Sequence, residues 1–164
     1  MEQNRQWQRG EYRINCDKNR QWQRGEYRIN CDTSELNLSF THAFLTTSSW
    51  ASGISLPTVQ LSIDNSLCFG LYHQHQQIGF ARLVTDYATF GYLCDVIVSP
   101  DYQGQGLARW LMDFTLEHPV LQRLRRIMLV TGTAPWLYQK VGYEAVNRED
   151  FVWHIVRPDI YQQP

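Results

Sequence analysis

The sequence predicts a mixed α/β domain, because runs typical of strands alternate with runs that have the spacing of helices. Three apolar stretches, 67–72, 77–85 and 90–98, are rich in the β-branched and aromatic residues that favour strands. The last of them continues through a turn with two glycines into a stretch whose apolar residues recur at i, i+4 and i+7. The predicted order of elements is β-α-α-β-β-β-α-β-α-β-β, which corresponds to a mixed sheet.

The composition indicates one ordered domain without a strongly charged surface. The chain has 164 residues, of which 43% are hydrophobic and 13% aromatic, and its formal net charge is −1. This charge argues against nucleic acid or an anionic membrane as the main partner. No run approaches the roughly 18 apolar residues of a membrane-spanning helix, and the N-terminus has no apolar signal region. We therefore expect a cytoplasmic protein.

Neither the cysteines nor the histidines have the spacing of a metal site. No Cys-x-x-Cys occurs, and two of the cysteines lie inside predicted strands, where a thiol acts as a small core residue. His73 and His75 stand two residues apart in the polar stretch 73–76, and no third ligand is near them in the sequence. We predict a hairpin turn with surface histidines there, and no metal cofactor. The four cysteines are Cys16, Cys31, Cys68 and Cys94.

The N-terminus contains a perfect duplication. Residues 4–17 recur letter for letter as residues 19–32. Stacked structural repeats need at least three units and normally drift in sequence, so a single exact copy does not indicate a repeat fold. We predict that residues 1–18 lie outside the core, that 19–164 form the single domain, and that residues 26–31 form its first strand.

Two helices are predicted between the first strand and the stretch 67–72. The first begins after an N-cap at Thr33 or Ser34 and repeats its apolar residues at i, i+4 and i+8. The second covers residues 58 to 65, with Pro57 in its first turn. The apolar face of the first helix consists of Leu36, Phe40 and Phe44.

The remaining elements follow the strand 90–98, whose composition predicts burial on both faces. Apolar spacing predicts a helix over 104–117 and a short strand over 126–130. A further helix over 134–141 ends at Gly142, and a last strand covers 151–156.

The glycine turn between strand and helix is the first candidate site. A backbone without Cβ can approach a ligand closely and can adopt a positive φ. The first turn of the following helix offers unpaired N–H groups at the positive end of the helix dipole, which together form an anion site. A phosphate or diphosphate on these amides is the functional interpretation. A connection without any ligand is the alternative, since glycine pairs alone are common.

Two motifs favour the functional interpretation. The turn has the pattern Gln-x-x-Gly-x-Ala over residues 103–108, preceded by Val-x-Pro over 98–100. Downstream, Leu-Tyr-Gln-Lys-Val-Gly-Tyr occupies residues 137–143. Together these motifs resemble the GCN5-related N-acetyltransferase (GNAT) superfamily, which binds acetyl-CoA, and the resemblance covers residues 68–146.

The resemblance implies the GNAT fold, in which a bulged strand before the glycine turn splays from the strand after the following helix. Acetyl-CoA would lie in that split, with its pantetheine arm paired to the backbone of Val96 and Val98. Because the turn contains Gln-Gly-Gln-Gly where many relatives carry Arg or Lys, we expect weaker attraction to the diphosphate. The implied cofactor-binding residues of the turn are Gln103, Gly104, Gln105, Gly106, Leu107, Ala108 and Arg109.

The resemblance also implies the catalytic residues. It places Tyr138 beside the sulfur of coenzyme A, where a phenol with a pKa near ~10 can protonate the departing thiolate, although a tyrosine packed against the sheet is the alternative. Asp95 lies nearest the expected acetyl position, either as a base or as the ion-pair partner of Arg82. Cys94 has no histidine near it in sequence, so we expect direct transfer in a ternary complex.

The acceptor is predicted to be a primary amine of a small molecule or peptide. The helix–loop–helix segment forms one wall of the acceptor cleft in the family. Alternatives are a protein N-terminus, an aminoacyl-tRNA, or an acyl-CoA sensor without catalysis, and the protein could be a monomer or a homodimer. The predicted substrate-binding residues are Trp50, Arg82, Tyr87 and Phe90, and weaker candidates for the rim are Glu35 and Asp86.

Overall fold

The computed structural model describes residues 21–162, which contain a six-stranded sheet whose strands lie in the order in which they occur in the chain. All neighbouring strands are antiparallel except the last pair, which is parallel. The mixed α/β fold is therefore confirmed. The strands are β1 (Gln21–Arg24), β2 (Tyr27–Asn30), β3 (Leu67–His73), β4 (Gln76–Thr85), β5 (Phe90–Val98) and β6 (Arg126–Met128).

Helices cover both faces of the sheet. One core cluster joins Leu45, Val59 and Ile63 to Phe80 and Ile97 of the sheet. The other joins apolar residues of the C-terminal half to the opposite sheet face. The alternation of side chains along each strand separates the two clusters. The helices are α1 (Leu38–Thr46), α2 (Leu56–Asp64), α3 (Leu107–Glu117), α4 (Pro119–Arg123) and α5 (Pro135–Lys140). No helix between residues 21 and 162 has the length and apolar character needed to cross a bilayer.

The second copy of the duplicated sequence folds as a hairpin. The predicted first strand corresponds to β2, but β1 precedes it in the same copy and was not predicted. The turn between them is Gly25-Glu26, and Gly25 has a φ of +60°, which glycine adopts without strain. The predicted boundary after residue 18 and the first copy lie outside the described residues.

The N-cap of α1 differs from the prediction. Asp32, not Thr33 or Ser34, caps a short 3-10 helix, Thr33–Glu35, by accepting the Ser34 N–H at 3.0 Å. The chain then turns, and the Asn37 side chain caps α1 by accepting the Phe40 N–H at 3.0 Å. The predicted position was wrong because the sequence does not separate a 3-10 turn from the first turn of an α-helix.

Two elements after β5, the helix that follows the glycine turn and β6, are shorter than predicted. The helix begins at Leu107 instead of 104, because Gly104 and Gly106 have φ values of +79° and +76°, which an α-helix cannot contain. β6 ends at Met128 instead of 130. β5 has the predicted bounds, but burial on both faces was wrong, since Phe90 and Tyr92 are 40% and 37% exposed.

The predicted last strand over 151–156 is absent. These residues have no ladder partner among the described strands, and without one a strand-like sequence leaves its backbone unpaired. The Phe151 ring instead lies under the guanidinium groups of Arg126 and Arg148, at 5.6 and 4.5 Å. This prediction was therefore wrong, although the composition of the segment is that of a strand.

Candidate functional site

β5 contains a bulge next to the predicted acetyl position. Phe80 pairs with Ile97 and Arg82 pairs with Cys94, so two residues of β5 lie opposite one residue of β4. Asp95 is one of these two residues, and its φ is +53°, which is uncommon for a non-glycine residue within a strand. The bulge that the family resemblance implies is therefore present, and it re-aims the Asp95 side chain.

The sheet opens between β5 and β6. β6 pairs only with Phe90, Gly91 and Tyr92, so the rest of β5 has no strand on that side. The Ser99 N–H donates to Ile78 O at 2.7 Å, which makes Gly79 and Val98 a non-hydrogen-bonded pair. In an antiparallel pair of this kind the backbone groups point away from the neighbour, so those of Val98 face the opening. The splayed sheet thus exposes backbone groups of β5.

The glycine turn brings a row of unpaired amides to this opening. Within residues 21–162, none of the backbone N–H groups from Gly104 to Arg109 has a hydrogen-bond acceptor. A Cβ at Gly104 or Gly106 would meet no atom within 4 Å, so the space above both residues is open. The amides lie at the start of the 11-residue helix α3, where the helix dipole favours an anion.

Gln103 holds the turn against β5 and does not add a free amide. Its backbone N–H donates to Pro100 O at 3.3 Å. Its side-chain Nε2 donates to Val98 O at 3.0 Å, which occupies one side of that carbonyl.

Arg109 is exposed in the first turn of the helix. Its guanidinium lies 3.8 Å from the carboxylate of Asp113, a distance typical of a weak surface pair.

The N-terminal hairpin supports the same turn from the other side. The Tyr27 hydroxyl donates to Gln105 Oε1 at 3.0 Å, and the Tyr27 ring stacks on His73 at 4.9 Å. His73 in turn lies 3.0 Å from the Tyr102 hydroxyl and 3.3 Å from Glu26. A cleft of about 320 Å³ lies beside these residues.

The prediction that both histidines lie on the surface was wrong for His73. Its side chain is half-buried and has the partners named above, whereas His75 is exposed.

Asp95 lies at the centre of a polar network on the face of α1 and α2. Its Oδ2 accepts from Arg82 Nε at 2.8 Å, and its Oδ1 accepts from Trp50 Nε1 at 3.0 Å. Arg82 Nη1 also donates to Ser66 Oγ at 3.1 Å. Both carboxylate oxygens therefore have charged or polar donors, and the side chain of Asp95 is only 9% exposed. The ion pair of Asp95 with Arg82 is one of the two alternatives that the sequence left open, and the contact of Asp95 with Trp50 was not predicted.

An apolar patch continues from this network along the sheet. Val84 lies directly opposite Tyr92 across the strands, and Phe90 is two residues before Tyr92 on the same face. Val84 is 42% exposed and Trp50 54%, so the patch is open to solvent. We define the acceptor patch as Trp50, Val84, Phe90 and Tyr92.

Tyr87 does not join the acceptor patch. It packs against the core cluster on the opposite sheet face, where α3 lies. The two weaker rim candidates hold local structure instead. Glu35 pairs with Arg28 at 2.6 Å. Asp86 accepts hydrogen bonds from Thr89 and neighbouring amides, which hold the pKa of that carboxyl below its usual range.

Tyr138 lies on α5, which follows β6 in the chain, and it is half-buried. Burial raises the pKa of its phenol, so the hydroxyl stays protonated at neutral pH. Its ring meets Tyr143 edge-on, with the centroids 5.8 Å apart. In the described part of the chain, neither hydroxyl has a hydrogen-bond partner, and that of Tyr143 is buried. The sequence motif includes both residues, and the family resemblance implies the catalytic role for Tyr138.

The thiol of Cys94 is an unfavourable nucleophile. Burial raises the pKa of Cys94 to about 12, despite the nearby guanidinium of Arg82. The thiolate is therefore scarce at neutral pH. Between residues 21 and 162, no cluster of three histidine, cysteine or acidic side chains could hold a metal ion.

Comparison with known proteins identifies the family. A model described as the acetyltransferase (GNAT) domain matches residues 64–145, which is half of the chain. The chain belongs to the GNAT acetyltransferase family. A solved GNAT-family protein from Xanthomonas campestris is 38% identical, with a TM-score of 0.80 over 84% of this chain and 97% of that one. A Clostridium acetobutylicum structure with acetyl-CoA shares the fold, with 16% identity and a TM-score of 0.57 over 80% of this chain and 94% of that one.

A protein of Gibberella zeae, named as an acetyltransferase, is 33% identical in an alignment 112 residues long that covers 56% of this chain. A Gracilaria tenuistipitata protein, named as an uncharacterized N-acetyltransferase, is 40% identical over 35% of this chain. The chain spans 62% and 34% of the length of these two curated relatives.

Proposed function

We propose that this GNAT protein is an acetyl-CoA-dependent N-acetyltransferase that acts on a primary amine of a small molecule or peptide. The observation that carries the proposal is the row of unpaired amides from Gly104 to Arg109 beside the open edge of β5. Such amides at a helix N-terminus suit a diphosphate, and backbone groups at an open strand edge suit an extended amide chain.

The open space and the unpaired amides of the turn support coenzyme A as the group bound there. The space above Gly104 and Gly106 is open, and the amides of Leu107, Ala108 and Arg109 complete the cradle. Val96 and Val98 would bind the pantetheine arm through their backbone groups. When bound, acetyl-CoA supplies the acetyl group as a thioester.

Tyr138 is the proposed general acid. Its raised pKa keeps a proton on the phenolic oxygen, and that oxygen has no competing partner among the described residues. In the proposed reaction this proton passes to the departing sulfur, whose ordinary pKa of about 8.5 accepts it, and the proton that the attacking nitrogen loses as the amide forms restores the phenol through solvent. Because Cys94 is a poor nucleophile, the amine attacks directly in a ternary complex.

Asp95 is proposed as a positioning residue and not as the base. Both of its oxygens are occupied, and the guanidinium of Arg82 stabilises the charged carboxylate. Removing a proton from the amine would require Asp95 to release one of these donors. We infer that the amine reacts in its neutral form, while Asp95 fixes the indole of Trp50 at the wall of the cleft.

The acceptor patch favours an amine on an apolar body. Trp50, Val84, Phe90 and Tyr92 offer exposed apolar surface beside an ion pair that carries no net charge. An aromatic or alkyl group would cover this surface, whereas a strongly charged body would gain little there.

Free thiol release tests the activity. We expect the chain to release thiol from acetyl-CoA when aromatic or alkyl amines are added, and more slowly with peptides that have a charged N-terminal residue. Tyr92→Ala should raise KM for the amine and leave coenzyme A binding unchanged. Leu61→Ala, which removes an apolar side chain that is 64% exposed on α2, is the control. Binding of acetyl-CoA without thiol release from any amine would favour a sensor.

A further inference from the structure

Two guanidinium groups contact the same aromatic ring beside β6. The Cζ atom of Arg126 lies 5.6 Å from the centre of the Phe151 ring, and that of Arg148 lies 4.5 Å from it. The two cations, here called the arginine pair, therefore lie within about 10 Å of each other, where like charges repel. Contact with the ring face offsets part of that repulsion, and an anion that both groups contact would remove the rest.

Neither member of the arginine pair has an anionic partner in the part of the chain that the structure describes. Arg126 and Arg148 form no ion pair there, although Glu149 and Asp150 follow Arg148 directly. A guanidinium that lies on an aromatic ring keeps its N–H groups at its edges, where they can donate in pairs to a carboxylate. The ring of Phe151 thus holds two forked sets of donors.

The strand pairing places the arginine pair at one end of the acceptor patch. Arg126 is the pairing partner of Phe90, and residues directly opposite each other on paired strands have side chains on the same face of the sheet. Tyr92 lies on that face as well, because it is two residues after Phe90. The patch therefore leads from the polar network of Asp95 to the two guanidinium groups.

The length of the patch indicates the size of the acceptor. Phe90 and Asp95 are five positions apart on β5, and at about 3.3 Å per residue they are separated by roughly 15 Å. An extended peptide spans the same distance in about five residues. A peptide whose amine lies at the bulge would thus bring the side chain of its fifth residue to the arginine pair.

We propose that the preferred acceptor is a peptide with an apolar N-terminal residue and an acidic side chain at about its fifth position, and that Arg126 and Arg148 bind that carboxylate. This inference rests on the proposed N-acetyltransferase activity and narrows its acceptor. The apolar N-terminal side chain covers Trp50 and Tyr92, while the carboxylate relieves the repulsion between the two cations. An acidic residue nearer the amine would gain no partner on the apolar surface between them.

Matched peptide substrates test the proposal with the full chain. Each peptide has six residues, an apolar N-terminal residue and an amidated C-terminus, so that a glutamate at its fifth position is its only carboxylate. The comparison peptide has glutamine there. We expect kcat/KM, measured by thiol release from acetyl-CoA, to be at least about tenfold higher for the glutamate peptide, mainly through KM. A peptide with the glutamate at its second position has the same net charge and should lose this advantage.

Substitution of the arginine pair should remove the preference. Arg126→Gln and Arg148→Gln should each lower the ratio of kcat/KM between the two peptides by at least about threefold, and the double variant should bring the ratio close to one. Arg125→Gln, which removes the same charge at the adjacent exposed position, should keep the wild-type ratio. Because each variant is judged by a ratio of two substrates, a general loss of activity cannot produce this result.

The outcomes separate this inference from the proposed activity. An active enzyme that uses the glutamate and glutamine peptides equally would overturn the inference and leave the activity standing. A preference that survives in the double variant, or that follows the glutamate to the second position, would also overturn it. Thiol release with no amine or peptide at all would overturn both the inference and the proposed activity.

Discussion

The two ends of β5 contribute different chemical groups to the candidate site. At its C-terminal end, the candidate site consists of main-chain groups: unpaired amides from Gly104 onward and the backbone of Val98, whose carbonyl also accepts from Gln103. At the bulge, the site consists of side chains, with Asp95 between Arg82 and Trp50. The comparison teaches that the proposed cofactor end depends on backbone conformation, whereas the acceptor end depends on contacts between distant parts of the chain.

The largest expected effect is on the chemical step and not on binding at either end of β5. Tyr138→Phe should lower kcat by about 100-fold or more, because it removes the proton donor and preserves the ring. Affinity for coenzyme A should not change. The matched control is Tyr143→Phe, which removes the neighbouring hydroxyl and should leave kcat unchanged. Steady-state kinetics with one amine measures both, and equal rates for Tyr138→Phe and the wild type would remove the assignment.

The pH profile provides a second test of Tyr138. Burial raises the pKa of this phenol above the ordinary tyrosine value. The phenol therefore keeps its proton through the pH range in which an exposed tyrosine loses it. In the wild type, kcat should therefore fall only above about pH 10, and this alkaline limb should disappear in Tyr138→Phe. A limb that persists unchanged in the variant would assign the acid to another group.

Substitution of a turn glycine tests the backbone end. Gly106→Ala should cost about 1–2 kcal/mol of stability, because an L-residue is strained at a positive φ. It should also raise the dissociation constant of coenzyme A by about tenfold, since the new Cβ enters the open space above the amides. Gly25→Ala introduces the same strain at another open turn and should lose stability only. Thermal denaturation and calorimetry measure the two effects, and equal coenzyme A affinity in both variants would contradict the cradle.

A change in the chemistry of a side chain should affect the side-chain end of the site and not the backbone end. Asp95→Ala should lower kcat/KM by about fivefold, because Trp50 and Arg82 lose their common acceptor. Asp95→Asn should recover most of that loss, since its amide oxygen still accepts from the indole. If Asp95 were instead the base, the Asn variant would be as slow as the Ala variant.

Arg109 should have the smallest effect. Its guanidinium is exposed and only weakly paired, so Arg109→Ala should raise the dissociation constant of coenzyme A by about twofold at low salt and less at high salt. Arg125→Ala, at another exposed position, should change nothing. Titrations at two ionic strengths measure both variants, and a larger loss at Arg109 would mean that a side-chain cation, not the backbone, dominates diphosphate binding.

The same difference explains what the sequence could predict. Glycines at 104 and 106 and the strand before them are local features, so the turn, the bounds of β5 and the start of a helix nearby followed from the pattern. The contact of Trp50 with Asp95 joins residues 45 positions apart, and it depends on a bulge that periodicity cannot locate. The sequence also could not predict on which face of the sheet a loop residue such as Tyr87 lies.

Errors occurred where a local pattern needed a distant partner. The residues 151–156 have strand composition, but no neighbouring strand accepts them within the described chain. His73 looked like a turn residue because its partners, Glu26 and Tyr102, lie far away in the sequence. Propensity describes what a segment can form, and tertiary pairing decides what it does form.

The most direct measurement is an amide NMR titration of the ¹⁵N-labelled chain with coenzyme A. The account predicts that the amide resonances from Gly104 to Arg109 shift together on binding, while those of the hairpin turn at Gly25 do not. Saturable binding of coenzyme A without shifts in these amides, or no binding at all, would contradict it.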